Sequence, residues 1–303
     1  MVKEQNPLSR INRRLRGCFY QDDTLREFLD DPYFWSGQGF RGGLCIEVGR
    51  CLGVESDVVT EIALFTELLH NASLIHDDIL DRDEQRRGHA TIWKKHGESK
   101  ALLIGDLLIA KAFDVAFAAR VDAVCRARWG SILSKTVLHA VKGACKELDF
   151  DLFREDSIVD RYHKMAKLKT GALFALPISC LASVAGLNSR DSASLTECFS
   201  DLAVAYQIRD DQSDFYGFKK GRKSSSDIAN GRPNIYHLLS TRTFHAGDYE
   251  QDIAAYHSNL VGCAIDWLSC FSEDLCQLVT DQVLSFVKLN EVDAPAPSLR
   301  VTA

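Results

Sequence analysis

Hydrophobic residues recur at helical spacing along most of the chain. In residues 58–79, VVTEIALFTELLHNASLIHDDI, apolar side chains return every three or four positions, and a polar face is almost absent before the aspartates. A helix that is apolar on nearly all sides belongs in the centre of a bundle. Further helical patterns lie near residues 99–120, 130–150, 170–186, 193–216, 228–240 and 249–288.

The chain lacks the alternating pattern of strands, and its six prolines leave long stretches without a helix breaker. These features predict an all-α fold, a single-domain helical bundle. The predicted loops are residues 35–43, 82–88 and 217–226. We expect the domain to occupy residues 21–290, between an N-terminal arm at 1–20 and a disordered tail at 291–303.

Composition narrows the classes of function. Of 303 residues, 46% are hydrophobic and 26% are charged, as in soluble globular proteins. The net charge of −6 gives no reason to expect a nucleic-acid partner. The basic residues between Arg10 and Arg16 are an exception, and we expect them to form a solvated arm. We see neither a secretory signal nor an apolar run long enough to span a membrane.

The ten cysteines are scattered, and none of them has CxxC spacing. Several lie inside apolar helical stretches, Cys180 among them. This pattern is typical of reduced, buried thiols in a cytoplasmic protein. It disfavours both a disulfide framework and a zinc site.

Two aspartate clusters each follow an apolar helix. The first contains Asp77, Asp78 and Asp81, and the second contains Asp210, Asp211 and Asp214. In each cluster the outer members are four residues apart and therefore lie one above the other on a helix. Like charges at this spacing repel each other, so each cluster needs a counter-charge.

The ligand chemistry of the clusters points to a metal ion. Six carboxylates without sulfur suit Mg²⁺, which prefers oxygen ligands and is often completed by water and substrate phosphates. The alternative is that both clusters are solvated acidic helix ends. Because two such motifs each end a hydrophobic helix, we favour a magnesium–diphosphate site.

A longer series of motifs resembles the trans-isoprenyl diphosphate synthases, the family of farnesyl, geranylgeranyl and longer polyprenyl diphosphate synthases. The matching positions are residues 67–78, Asp81, Arg86-Arg87-Gly88, Gly105-Asp106, Lys169-Thr170-Gly171, residues 206–211 and residues 221–234. The motifs occur in order, at family-like spacing, over residues 35–240. The resemblance implies helices around a deep central cavity with both aspartate motifs at its mouth, where about three Mg²⁺ ions bind.

The resemblance also implies the reaction. An allylic prenyl diphosphate ionises and is condensed with isopentenyl diphosphate, which gives a longer trans-prenyl diphosphate. Magnesium would withdraw charge from the diphosphate, cationic side chains would hold the released pyrophosphate, and an apolar cavity would exclude water. The family further implies a catalytic role for Lys169 and a homodimer formed through the central helices.

Further substrate ligands are carried over from the family by position. For the allylic diphosphate they are Arg86, Thr170, Gln207, Arg222 and Arg232. For isopentenyl diphosphate they are Arg41, His70 and Arg87. Arg222 and Arg232 stand where the family usually has lysine, and arginine binds phosphate with a different geometry.

The isopentenyl diphosphate loop departs from the family pattern Gly-Lys-Arg-x-Arg-Pro. Here the lysine, the first arginine and the proline are replaced by Gln38, Gly39 and Gly42. A neutral glutamine supplies no charge to a diphosphate, and charge-assisted hydrogen bonds are about twice as strong as neutral ones. Two readings stay open: the remaining ligands suffice, or the acceptor is a different, less anionic nucleophile. We favour the first.

Small residues before the first cluster bear on product length. In this family the residues four and five before the first aspartate line the cavity floor, and here they are Ser73 and Ala72. Short-chain enzymes commonly carry an aromatic side chain there. Without one, the prenyl tail can descend towards Leu69, so we expect a product of C20 or longer rather than C15.

Three other classes of protein compete with a synthase. A class I terpene cyclase usually replaces the second aspartate motif with an Asn/Ser/Glu triad and lacks Arg-Arg-Gly. A non-catalytic partner subunit typically loses an aspartate motif. A helical protein without a metal site would not carry the ordered series of motifs. Both aspartate motifs are complete here and Arg86-Arg87-Gly88 is present, so we favour the synthase.

Overall fold

The computed structural model describes residues 7–37, 39–151, 157–218, 230–241 and 248–291. These residues are almost entirely helical. The sheet found among them has two strands of two residues each, β1 (Gln85–Arg86) and β2 (His89–Ala90), paired antiparallel. The predicted all-α fold is confirmed.

The helices of the described residues are numbered along the chain. In chain order they are α1 (Pro7–Gln21), α2 (Pro32–Trp35), α3 (Phe40–Cys51), α4 (Ser56–Leu80), α5 (Ile92–His96), α6 (Glu98–Ala118), α7 (Ala123–Leu148), α8 (Ile158–Ala166), α9 (Ala172–Val184), α10 (Ser189–Phe215), α11 (Ile235–Ser240), α12 (Asp248–Phe271), α13 (Glu273–Leu278) and α14 (Leu284–Val287). A 3₁₀ turn lies at Arg26–Phe28, and π-helical turns lie at Lys167–Gly171 and Val279–Val283.

The described residues form two compact units. The first contains the chain up to Val137 together with Leu173–Thr196, and it includes the first aspartate cluster. The second contains Leu138–Ala172 and the chain from Glu197 onward, and it includes the second cluster. The predicted domain limits at residues 21 and 290 stay a prediction.

Helix α4 is the core of the first unit, where it packs against α1, α3 and α6. Phe65 and Leu68 in its middle are fully buried. The Phe65 ring packs against Trp129 of α7, with the ring centroids 5.6 Å apart. The nearly all-round apolar pattern of residues 58–79 therefore predicted its position correctly.

Helix α1 corrects the prediction of a solvated N-terminal arm. Its apolar side chains at a spacing of four, Ile11, Leu15 and Phe19, are all buried. Arg14 forms a bidentate ion pair with Glu61 of α4, in which Nη1 lies 2.6 Å from Oε1 and Nη2 lies 2.9 Å from Oε2. The arm prediction was wrong because the arginines between the apolar positions masked an amphipathic helix.

Replacing Ile11 with alanine tests how much α1 contributes to the fold. Ile11 is 2% exposed, so we expect the change to lower the free energy of unfolding by about 2–5 kcal/mol. The exposed Asn12→Ala is the matched control and should change it by less than about 0.5 kcal/mol. Urea unfolding of both variants measures the difference, and equal values would show that α1 is a solvated arm after all.

In the second unit, helix α10 carries the buried face that leads to the second cluster. Leu202 and Ile208 are buried there, as predicted for residues 193–216. The helix predicted over residues 228–240 begins only at Ile235 within the described part of the chain. Pro233 and the cap at Asn234 explain the late start, because the Asn234 Oδ1 accepts the Tyr236 N–H over 3.1 Å.

Two helical segments are long and apolar enough to meet the length and hydropathy criteria for a membrane span, Ser56–Leu80 and Ile158–Val184. The sequence-based expectation that no segment reaches this length was therefore wrong. In each of them 67% of the apolar window is buried inside the protein. Such burial is typical of the core helices of soluble proteins.

All ten cysteines are free thiols, as predicted. Four of them are buried: Cys45, Cys125, Cys180 and Cys198. Burial raises the pKa of the Cys198 thiol to about 12, which keeps it protonated and unreactive. The expectation of buried thiols is wrong for Cys145, Cys263 and Cys270, which are exposed.

Candidate active site

The first aspartate cluster lies at the C-terminal end of α4. Asp77 and Asp78 are in its last turn, and Asp81 caps the helix with its N–H donating to the Asp77 carbonyl over 2.8 Å. The C-terminus of a helix carries partial negative charge, so carboxylates are unfavourable there. This placement increases the need for a nearby cation.

Asp78 is the buried member of the first cluster, with 1% of its side chain exposed. Its Oδ1 accepts from Arg86 Nη2 at 2.6 Å and from Nε at 2.8 Å. Its Oδ2 accepts the Tyr33 hydroxyl at 2.6 Å. Burial and the Asp78 charge raise the pKa of Tyr33, so this hydroxyl stays a donor.

A short hairpin places Arg86 beside Asp78. Arg86 ends β1 and pairs with His89, and the two residues between them both have positive φ, 53° at Arg87 and 79° at Gly88. Two successive positive φ angles in a two-residue loop favour a tight hairpin that matches the twist of the strands. The predicted loop at residues 82–88 therefore contains the first strand and the turn of this hairpin.

The predicted acceptor ligands lie together in the first unit. Arg41 Nη1 and His70 Nε2 are 2.9 Å apart, and the Arg41 guanidinium lies over the Phe174 ring at 4.5 Å. Arg87 lies against Gly37, where a Cβ atom would come within 2.5 Å of Arg87 Nη1. Gln38 lies outside the described residues.

His70 is a neutral member of this group. Burial lowers the pKa of His70 well below its usual range, and the charges of Arg41 and Arg87 lower it further. Since the Arg41 N–H donates to Nε2, the neutral ring carries its proton on Nδ1. His70 therefore orients Arg41 and adds no positive charge of its own.

The second cluster repeats the pattern of the first in the second unit. Asp211 is 1% exposed, and its Oδ2 accepts the Tyr162 hydroxyl at 2.8 Å and the Ile235 N–H at 2.9 Å. Its Oδ1 accepts from Gln207 Nε2 at 2.9 Å. In both clusters a tyrosine hydroxyl holds the middle aspartate. Asp214 is also buried and Asp210 is half-buried.

Lys169 and Thr170 lie on the π-helical turn between α8 and α9. Such widened turns are frequent at functional sites because they re-aim side chains. Thr170 Oγ1 donates to Gln207 Oε1 at 3.0 Å, which links it to α10. Lys169 forms a short ion pair with Glu147 of α7.

Of the two arginines that replace family lysines, Arg232 is half-buried just before α11. Asn234 follows it and donates from Nδ2 to the Asp211 carbonyl over 2.9 Å, which ties this segment to the second cluster. Arg222 lies outside the described residues.

The residues expected at the cavity floor lie on α4. Ala72 is fully buried and Leu69 is 4% exposed. Ser73 is half-buried, and its hydroxyl donates to the His70 carbonyl over 2.8 Å. Positions 72 and 73 thus hold two small side chains, neither of which is aromatic.

Several residues that were not predicted as site residues hold the predicted ones in place. They are Tyr33, Glu67, Glu147, Tyr162 and Asn234. Asn234 and Glu67 offered a signal, because both stand in motifs of the resemblance. Tyr33 offered none, because 45 residues separate it from Asp78.

The ligand chemistry of the aspartates fits magnesium. The six carboxylates offer hard oxygen donors, and Mg²⁺ often uses only one or two carboxylates together with water and phosphate oxygens. Within the described ranges, no group of three or more potential ligands is already gathered around one point.

Comparison with known proteins identifies the family of the chain. The family model for polyprenyl synthetase matches residues 22–260. A short chain isoprenyl diphosphate synthase of Methanocaldococcus jannaschii is 31% identical over 252 residues, which cover 80% of this chain and 74% of that protein. A geranylgeranyl diphosphate synthase of Methanosarcina mazei is 30% identical over 213 residues, 70% of this chain and 64% of that protein.

Solved structures support the fold. A geranylgeranyl pyrophosphate synthase superimposes with a TM-score of 0.77 at 20% identity, covering 94% of this chain and 97% of that one. A decaprenyl diphosphate synthase from Rhodobacter capsulatus gives 0.75 at 20% identity, with the same coverage of both chains. The chain belongs to the polyprenyl synthetase family of prenyl-transferring enzymes.

Proposed function

We propose that this enzyme condenses an allylic prenyl diphosphate with isopentenyl diphosphate in a magnesium-dependent reaction and releases a trans-prenyl diphosphate of C20 or longer. The observation that carries the proposal is the shared design of the two aspartate clusters. In each, the middle carboxylate is buried and held by protein donors, Asp78 by Tyr33 and Asp211 by Tyr162. Of the outer carboxylates, Asp77, Asp81 and Asp210 are half-buried and are assigned to the substrate side on that ground, whereas Asp214 is as buried as Asp211.

Asp77 and Asp81 in the first unit, and Asp210 and Asp214 in the second, are the proposed metal ligands. When bound, magnesium withdraws charge from the diphosphate oxygens, so that the carbon–oxygen bond of the allylic substrate ionises more easily. Asp78 and Asp211 also belong to the predicted ligand set. Their hydrogen bonds favour a positioning role, in which they fix the helix ends and, for Asp78, the Arg86 guanidinium.

The donor diphosphate is proposed to meet a set of cationic and polar side chains. They are Arg86, Lys169, Thr170, Gln207, Arg222 and Arg232. The Lys169 ammonium, which is paired with Glu147, has three N–H donors and is proposed to contact the diphosphate when the substrate binds. Preorganised cations of this kind stabilise negative charge as it develops on the leaving group.

The acceptor diphosphate is proposed to bind Arg41 and Arg87, with neutral His70 orienting Arg41.

Incubation with magnesium, isopentenyl diphosphate and each allylic diphosphate from C5 to C20 tests the function. We expect elongation to C20 or longer. Prenylation of another nucleophile without use of isopentenyl diphosphate would show a changed acceptor, and hydrocarbon would show a cyclase.

Ala72→Tyr tests the proposed product length. Ala72 is fully buried and precedes Asp77 by five residues, about 7.5 Å along the helix axis. A tyrosine there should obstruct the growing tail and shift the main product to C15 or shorter, as measured by chromatography of the dephosphorylated products. The same substitution at the exposed Ala123 is the control. An unchanged product distribution in a folded Ala72→Tyr enzyme would refute the cavity-floor assignment.

We propose that the enzyme acts in the cytoplasm as a homodimer. Three large apolar side chains of α6 support a partner surface, Leu102, Leu103 and Phe117, which are 49%, 65% and 54% exposed. Exposed apolar side chains on a helix are a common feature of contacts between protein chains. Light scattering of the purified enzyme measures the molecular mass and hence the oligomeric state.

A further inference from the structure

Glu67 is a carboxylate of α4 to which the proposed reaction assigns no role. Its Oε1 accepts the backbone N–H of Gly42 at 2.8 Å, across 25 residues of sequence. Gly42 is itself buried, and a Cβ atom there would lie 3.1 Å from the same oxygen. Glu67 therefore fits closely against the backbone of α3.

The hydrogen bond between Gly42 and Glu67 caps the N-terminal end of α3. The first N–H groups of an α-helix have no partner within the helix and require a cap. The residue before α3 is Gly39, with a φ of 59° and no side chain that could cap the helix. Glu67 provides an acceptor from the neighbouring helix, and its negative charge is favourable at a helix N-terminus.

The capped turn is the one that carries Arg41. Arg41 precedes Gly42 directly, and its guanidinium lies between His70 and the Phe174 ring. Burial raises the pKa of Glu67, while the Gly42 N–H and the nearby charges of Arg41 and Arg87 oppose the rise. Glu67 thus lies within electrostatic range of both arginines that are proposed for the acceptor diphosphate.

We propose that Glu67 is a positioning residue for the acceptor: its hydrogen bond with Gly42 fixes the first turn of α3, so that Arg41 is held against His70 where the diphosphate of the acceptor binds. The inference rests on the proposed function. Glu67 contacts no substrate itself and acts through the backbone that carries Arg41. Its loss should weaken acceptor binding and spare the binding of the allylic donor.

Two conservative variants separate the effect of the length of the Glu67 side chain from the effect of its charge. Glu67→Gln keeps an oxygen at the same distance and removes the charge, whereas Glu67→Asp keeps the charge and shortens the side chain by one methylene. Positioning by the hydrogen bond predicts that the Asp variant raises the KM for isopentenyl diphosphate about tenfold, while the Gln variant stays within about twofold of the wild type. The KM for the allylic diphosphate should stay within about twofold in both.

Glu47→Gln is the matched control, because Glu47 lies on α3 and pairs with the exposed Arg50. The reverse order, with Gln impaired and Asp normal, would overturn the inference in favour of a purely electrostatic role. Equal rises in KM for both substrates, or none, would also overturn it. If the wild type does not consume isopentenyl diphosphate at all, the proposed function itself fails, and the wild-type reaction alone reveals this.

Discussion

Asp77→Asn is expected to lower kcat for prenyl transfer about a thousandfold, since a lost metal ligand removes several kcal/mol of transition-state stabilisation. Asparagine keeps the shape of the side chain but supplies no negative charge. It also relieves the repulsion between Asp77 and Asp81 at the C-terminal end of α4. Stability should therefore stay equal or rise while activity falls.

Steady-state release of pyrophosphate measures this effect, with urea unfolding as the check on the fold. The control is Asp114→Asn, which removes an exposed carboxylate of α6 that is paired with Lys111. It should leave kcat within about twofold of the wild type, because exposed ion pairs contribute little. A folded Asp77→Asn enzyme with nearly normal kcat over a range of magnesium concentrations would exclude Asp77 as a metal ligand.

Arg86→Gln is expected to destabilise the first unit by about 3–5 kcal/mol, the usual cost of breaking a buried ion pair. Asp78 is 1% exposed and Arg86 is 17% exposed, so water cannot replace the guanidinium effectively. The Asp78 carboxylate would keep only the Tyr33 hydroxyl among the donors described here. Loss of a cation near the donor diphosphate should also lower kcat/KM for the allylic substrate.

A double-mutant cycle separates these two effects. Adding Asp78→Asn to Arg86→Gln removes the uncompensated charge, so the double variant should recover much of the lost free energy of unfolding. Its activity should stay low, because the cation is still missing. Arg82→Gln is the control, since Arg82 forms an exposed pair with Glu98 and should cost less than about 1 kcal/mol. Equal stability losses for Arg86→Gln and Arg82→Gln would contradict a structural role for Arg86.

The sequence was most informative where one periodic signal dominated. Residues 58–79 have almost no polar face, and α4 indeed forms the buried centre of its unit. Around α1 the same reasoning failed, because arginines hid an apolar stripe of only three side chains. Small amphipathic helices are harder to recognise because their stripes are narrow and interrupted by charge.

In the candidate site, too, some features were predicted from the sequence and others were not. Arg41, His70 and Arg87 were expected to act together, and the structure does bring them into one group. The contacts by which other residues hold such groups in place could not be predicted from the sequence. Glu67 and Tyr33 act through tertiary contacts across 25 and 45 residues, and no local spacing or periodicity encodes such pairs.

The balance of substrates in one reaction tests the central claim most directly. The wild-type enzyme is incubated with magnesium, an allylic diphosphate and isopentenyl diphosphate, and the consumed isopentenyl diphosphate and the released pyrophosphate are both measured. A synthase consumes and releases them in equal amounts and makes a longer prenyl diphosphate, which is the result we predict. Pyrophosphate released without consumption of isopentenyl diphosphate would contradict the proposed reaction.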